Sequence, residues 1–321
     1  VLDVLVAAVV AAGGYDDGRL LCTVRDPAIT ESSGLVASSA YDNVLYTHND
    51  SGDTARFFQL DRSCRTRAVL TLAGVQARDW EDMSRGPGGT LWLGDIGDNS
   101  AARDRGVLVH RVQDPGPVTG VVRVRSVSFR LTYEDGPQDA EALLVHPRTG
   151  QLLIVTKGFA GGGVYTAPLP LRSGAPNVLR RVAEVPVPEV TAGDISPDGS
   201  RLVLRNYGAA YEWDVRGDDL VAALHQDPVT IALPKLRQGE SITYGRDGKA
   251  LIVGSEGAAS PLYELRPASA TKAAAVASPA PAAPGTAGRS DHVGRLLLLG
   301  TGALLAVGVF RLRRTRVRRA R

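Results

Sequence analysis

The sequence predicts an all-β protein, a β-propeller of about five four-stranded blades with six the other count allowed, followed by a C-terminal transmembrane helix. Three observations predict it. One two-strand phrase recurs five times between residues 29 and 266, tight-turn residues punctuate the copies, and residues 296–310 form an uncharged apolar run with a basic end.

The chain opens with Val4 to Ala12, VLVAAVVAA, running into Gly13-Gly14, so residues 1–14 resemble the apolar core of a signal peptide. Asp3 stands where a basic residue is usual. A first buried strand is the other reading.

The repeated phrase places a small or acidic residue before an apolar anchor, then a turn, then an apolar run ending in polar residues. Its five copies start at Ser33-Gly34-Leu35, Glu81-Asp82-Met83, Glu141-Ala142-Leu143, Gly193-Asp194-Ile195 and Glu240-Ser241-Ile242. They lead to the runs Val44 to Asp50, Leu91 to Asp95, Leu152 to Lys157, Leu202 to Asn206 and Leu251 to Glu256. Anchor to anchor, the steps are 48, 60, 52 and 47 residues, the length of a four-stranded blade. Gly86-Pro87-Gly88-Gly89, Pro147-Arg148-Thr149-Gly150, Pro197-Asp198-Gly199 and Arg246-Asp247-Gly248 fall inside the copies, where hairpins need them. Further strand-like runs follow each pair, among them Val122 to Leu131. A β-sandwich would not repeat one phrase five times.

A ring of blades must close. The fifth copy is short, ending at Leu265, and Leu20 to Val24 precedes the first blade unassigned, so that segment is expected to complete the last blade and bound the propeller at 20–266. Cys22 and Cys64 are the chain's two cysteines and lack zinc-site spacing. In an exported protein they are candidates for one disulfide, which would staple the closure; two separate buried thiols are the alternative.

Residues 267–292 are rich in Ala, Pro, Ser and Thr and read as a stalk. Leu296 to Phe310 extends to a span of 293–312 if Arg295 and Arg311 snorkel outward. The tail 313–321 is Arg-rich, which orients the chain with the propeller extracellular and the C-terminus cytoplasmic, a single-pass protein of the cell membrane. The formal charge is +3, but seven of the 37 Lys and Arg residues lie in the last eleven positions. The rest of the chain is therefore slightly acidic, and no nucleic-acid partner is expected.

Within a copy the two strands are antiparallel, so its first and last residues share one rim of the ring, the mouth of a central channel. Acidic residues gather there, and hard oxygen ligands suit Ca²⁺. The candidate metal ligands are Asp50, Asp53, Glu81, Asp95, Asp98, Glu141, Asp194, Glu240 and Glu256. Two segments share D-x-G-D, Asp50 to Asp53 and Asp95 to Asp98, although such aspartates also cap turns. Lys157 and Arg205 end their runs at the same rim and are the candidate catalytic cations. Trp80 reads as core packing. No G-x-S-x-G elbow, H-E-x-x-H motif or phosphate loop occurs.

The phrases THNDSGD, ARDWEDM, LGDIGDN, DAEALLV and GESI resemble actinobacterial secreted propellers of the "esterase-like activity of phytase" and related phytase-like or WD40-like families, over Ile29 to Leu265. The resemblance implies calcium-lined channel carboxylates and ester or phosphoester hydrolysis. Two functions stay open: a surface domain whose calcium-binding mouth presents itself to an extracellular ligand or protein, and a calcium-dependent hydrolase in which Lys157 and Arg205 receive the phosphate.

Overall fold

The computed structural model describes residues 14–268. Residues 1–13 of the signal-like segment, most of the stalk, the 293–312 span and the 313–321 tail lie outside the described residues. Among the described residues no helix is long and apolar enough to cross a membrane.

The first strand, β1 (Arg19–Val24), precedes the ring. Blade 1 follows as β2 (Ser32–Ala37), β3 (Leu45–Asn49), β4 (Arg56–Leu60) and β5 (Thr66–Leu72). Blade 2 contains β6 (Trp80–Gly86), β7 (Thr90–Asp95) and β8 (Val107–Gln113); after β9 (Gly120–Val124) it is completed by β10 (Ser126–Tyr133). Blade 3 is β11 (Ala140–Val145), β12 (Leu152–Thr156), β13 (Gly162–Thr166) and β14 (Asn177–Val185). Blade 4 is β15 (Ala192–Ile195), β16 (Arg201–Arg205), β17 (Ala209–Asp214) and, after the short helix α1 (Leu220–Leu224), β18 (Val229–Ala232). Blade 5 is β19 (Gly239–Tyr244), β20 (Leu251–Ser255) and β21 (Ser260–Leu265), with β1 as its fourth strand.

This is a five-bladed propeller closed by its N-terminal strand. β1 runs antiparallel to β21, with Arg19 opposite Glu264 and Val24 opposite Ser260. The disulfide joins Cys22 of β1 to Cys64 in the β4–β5 turn, so it bridges blade 5 to blade 1. Five apolar clusters fill the gaps between neighbouring blades, each mixing residues of two of them; Val36, Phe57, Met83 and Leu93 pack between blades 1 and 2. Trp80 is buried in that cluster.

Every residue of the five innermost strands is buried, because each has neighbouring blades on both faces. Small residues let these strands converge. A Cβ on Gly34 would meet His48 Nε2 at 2.3 Å and Met83 Cγ at 2.8 Å.

Two features depart from the sequence reading. The alternating run Val122 to Leu131 is two strands broken at Arg125: β9 pairs parallel with β5 of blade 1, whereas β10 pairs with β8 and also, in parallel, with β14 of blade 3. Alternation alone does not say which blade a strand joins. The helix α1 was not expected either; five residues are too few to show a helical period, and its signal is the Asp219 side chain accepting from Ala222 N.

The channel is filled below the mouth. Asp82, wholly buried, accepts hydrogen bonds from Met83 N, Leu143 N and Gly193 N, tying three innermost strands together. Deeper still, Arg85 crosses the axis: it donates to Asp194 at 2.6 Å and to the carbonyls of Ala37, Tyr244 and Ile195. Thr243 Oγ1 and Tyr244 N also donate to Asp194.

Candidate metal and ligand site at the channel mouth

Chain irregularity builds the mouth. In the antiparallel pairs of blades 1, 2, 3 and 5 the register shifts near the mouth, between Ser32 and Leu35, Trp80 and Asp82, Ala140 and Ala142, and Gly239 and Ile242. Such bulges re-aim a side chain out of strict alternation. The shifts fall at Glu81, Glu141 and Glu240, whose carboxylates line a cavity of about 160 Å³ together with Asp50, Glu256 and Lys157. Blade 4 pairs without a shift, and its residue at that level is Gly193.

Glu81 is the centre of charge. It is 4 % exposed, it lies within hydrogen-bonding reach of the Glu141 carboxylate, and no N–H group among the described residues donates to its side chain. Burial first, then the negative charges of Glu141, Asp50 and Asp79, push its carboxyl up to about 11. Ligand atoms of Asp50, Asp79 and Glu81 all lie within 4.8 Å of one another. Burial first, then the charges of Asp79, Glu141 and Glu31, raise Asp50 to about 6 against a hydrogen bond from Ser51 N. Glu240 is pushed up to about 8 by burial and by Glu256 and Glu141, and Glu256 to about 7 by burial and by Asp50 and Glu31.

One cation faces this set from within the cavity lining, Lys157, whose Nζ donates to Glu141 Oε1 at 2.8 Å and to Tyr207 Oη at 3.2 Å. Burial disfavours its charge, but the Glu141 carboxylate outweighs burial and holds its pKa above the ordinary lysine value. Gln238 Nε2 donates to Glu256. Phe159, almost fully exposed, lies in the β12–β13 loop that begins with Lys157.

The D-x-G-D aspartates other than Asp50 are committed elsewhere. Asp53 accepts from Arg56, Asn49 and Thr54 N, which overcome its partial burial and lower its pKa. Asp95 accepts from Arg103 at 2.8 Å and from the backbone of Arg78 and Asp79. Asp98 accepts from Ala102 N and Arg103 N. The reason is register. Asn49 and Asp95 occupy equivalent ends of their strands, opposite Ser32 and Trp80, so the level of Asp50 is taken in blade 2 by Ile96. A one-residue offset sends a strand side chain to the other face.

The same offset displaces two other candidates. Asp194 lies one residue below the mouth level and pairs with Arg85. Arg205, fully buried, donates to the carbonyls of Asn206, Ser241 and Gly254 instead of facing the mouth; burial depresses it to about 10. Of the candidate set, the structure brings Asp50, Glu81, Glu141, Glu240, Glu256 and Lys157 together and leaves Asp53, Asp95, Asp98, Asp194 and Arg205 out. Asp79, Tyr207 and Gln238 join the mouth from outside that set: Asp79 and Gln238 each stand two residues before a copy's first glutamate, and Tyr207 directly follows the run Leu202 to Asn206.

No protein-family profile matches the chain, and no curated protein matches it in sequence. Its fold is similar to that of a gluconolactonase from Xanthomonas campestris, at 13% identity and a TM-score of 0.45, covering 79% of this chain and 96% of that one. A second similar structure is an auxiliary nutrient-binding protein from Bacteroides thetaiotaomicron, at 10% identity and a TM-score of 0.45, over 78% and 72% of the two chains. A third is a nidogen/laminin complex, at 13% identity and a TM-score of 0.41, over 71% and 73%. The assignment of the propeller rests on the strand order and closure described above.

Proposed function

We propose that this propeller is a ligand-binding domain displayed on the cell surface, and that its mouth holds a calcium ion against which an extracellular ligand or protein is bound. The observation that carries the reading is the convergence of Glu81, whose carboxylate receives no N–H bond among the described residues, with Asp50 and Asp79. The residues fit the ion. All donors are oxygens, as a hard cation requires, and Gly97 leaves room for them: a Cβ there would meet Glu81 Oε1 at 2.0 Å and Asp79 Oδ2 at 2.6 Å. Calcium bound there would neutralise the buried carboxylates and offer remaining coordination positions to ligand oxygens. Hydrolysis is less well supported, because Lys157 is held by Glu141 and Arg205 is turned away.

Calcium binding to the folded state alone should stabilise it by about 2.7 kcal/mol at a hundredfold excess over Kd. Thermal unfolding in EDTA and in calcium measures this. Glu81→Gln should erase the calcium response, whereas Asp95→Asn with Asp98→Asn should keep it while lowering stability in both buffers. A wild-type melting temperature indifferent to millimolar calcium would overturn the metal reading.

Display on the membrane follows from the 267–292 stalk, the 293–312 span and the basic tail. Protease added to intact cells should release a fragment ending within 267–292. Protection of the whole chain would refute this orientation.

A further inference from the structure

We infer that a cleft on the face opposite the mouth, at the junction of blades 5 and 1, binds a phosphate-type oxyanion. The mouth is marked by Glu240 and Glu256, and β21 runs away from it to end beside Leu251, so Glu264 belongs to the far face. Its carboxylate is 6% exposed and receives three arginines from three separate segments. Arg62 of the β4–β5 turn donates to Oε1 at 3.0 Å, Arg266 beyond β21 donates to Oε2 at 3.0 Å, and Arg19 of β1 donates to Oε2 at 2.9 Å.

One carboxylate neutralises one guanidinium. Two positive charges remain, held close together where their mutual repulsion is unfavourable. Each guanidinium carries five N–H donors, and Arg62 and Arg266 each spend one side-chain donor on Glu264. Both line a cleft of about 480 Å³, whose other charged groups are Arg246, Lys249, Asp42 and Asp247. Asp42 is occupied by Arg246, and Asp247 accepts from Lys249 N and Ala250 N. With Arg19 and Asp16 counted, the latter accepting from Gly18 N and Arg266 N, five cations stand against four carboxylates. Arginine pairs with phosphate oxygens through parallel N–H bonds, and the volume suits a phosphate carried on a small molecule or a lipid headgroup.

The test uses the purified full chain in EDTA, so that calcium at the mouth plays no part. Isothermal titration with inorganic phosphate, at ionic strength matched with chloride, should give one saturable site. Arg62→Ala and Arg266→Ala should each weaken it about tenfold, the loss of one charge-assisted hydrogen bond. Lys249→Ala, on an exposed side chain, should weaken it severalfold and serves if either arginine variant fails to fold. Water-soluble dibutanoyl phosphatidylglycerol, compared with dibutanoyl phosphatidylcholine in the same titration, separates the sources: binding of the former alone and tighter than phosphate, lost in Arg62→Ala, assigns a lipid headgroup. Phosphate binding with no binding of the lipid analogue assigns a soluble phosphorylated ligand. Binding of neither probe, or binding unchanged in folded variants, overturns the inference.

Discussion

Arg85→Met should lower the stability of the ring by about 3 to 5 kcal/mol, the loss expected when one partner of a buried ion pair is removed. The substitution keeps most of the side-chain volume, so the loss is electrostatic. Asp194 would keep its bonds from Thr243 and Tyr244 N but would lose its countercharge in a site that is 1 % exposed. Three carbonyls on three different innermost strands, those of Ala37, Tyr244 and Ile195, would lose a donor together. In melting temperature the change is about 10 °C for a ring of this size. Adding Asp194→Asn should restore part of it, because the stranded charge is then gone. If the double variant melts no higher than the single one, the carbonyl bonds and not the ion pair carry the effect.

The second large effect is a reversal with pH. Glu240 and Glu256 hold protons in the folded chain up to about pH 8 and 7, whereas unfolded glutamates release them near their ordinary value of about 4.3. Folding therefore takes up protons, at Glu81 as well, and stability in EDTA should fall as pH rises from 6.5 to 8, by on the order of 2 to 4 kcal/mol. Calcium requires Glu81 and Asp50 ionised, and its charge favours the ionised form of Glu240 and Glu256 in the same cavity, so its stabilisation grows over the same interval, reaching about 4 kcal/mol at a thousandfold excess over Kd. The slope of melting temperature against pH should be negative in EDTA and flat or positive in calcium. His48 and His110 do not confuse the reading. Burial lowers both to about 4, so the stability they contribute is complete above pH 6.5 and is lost only as pH falls below it. Parallel slopes in the two buffers would mean that no cation is bound at the mouth.

The blades were legible because each copy must cross the ring once, which fixes a period that survives divergence of individual residues. Closure by residues 20–24 and the cysteine pair followed from counting strands. The ligand set was only half legible, because bulges are invisible to a pattern of period two. Aligning the copies on Leu35, Met83, Leu143, Ile195 and Ile242 nevertheless shows the correction: Ser33, Glu81, Glu141, Gly193 and Glu240 share one level, and Asp82 and Asp194 share the next. Reading D-x-G-D as one motif obscured this, since its first aspartate sits at different levels in the two blades. Arg85 also carried a signal: an arginine two residues beyond an apolar anchor, inside a strand buried on both faces, must find a partner across the axis.

The rim of the ring is unevenly fastened, and this decides where it opens. Blade 1 is laced to blade 2 through β9, blade 2 to blade 3 through the β10–β14 pairing, and blade 5 to blade 1 through the disulfide. Blade 4 has neither strand pairing nor a disulfide across its two gaps; side-chain contacts, such as those of Arg201 with Gly248 and of Tyr244 with Glu212, hold it in place. Partial opening should begin there, and the backbone amides of β15 to β18 should exchange with deuterium ahead of those in blades 1 to 3 under native conditions. Uniform exchange around the ring would show that the lacing contributes nothing to local stability. Because β15 supplies Gly193 N to Asp82 and Asp194 to Arg85, the leaf that swings out most readily is also the one that unlocks the plug beneath the mouth.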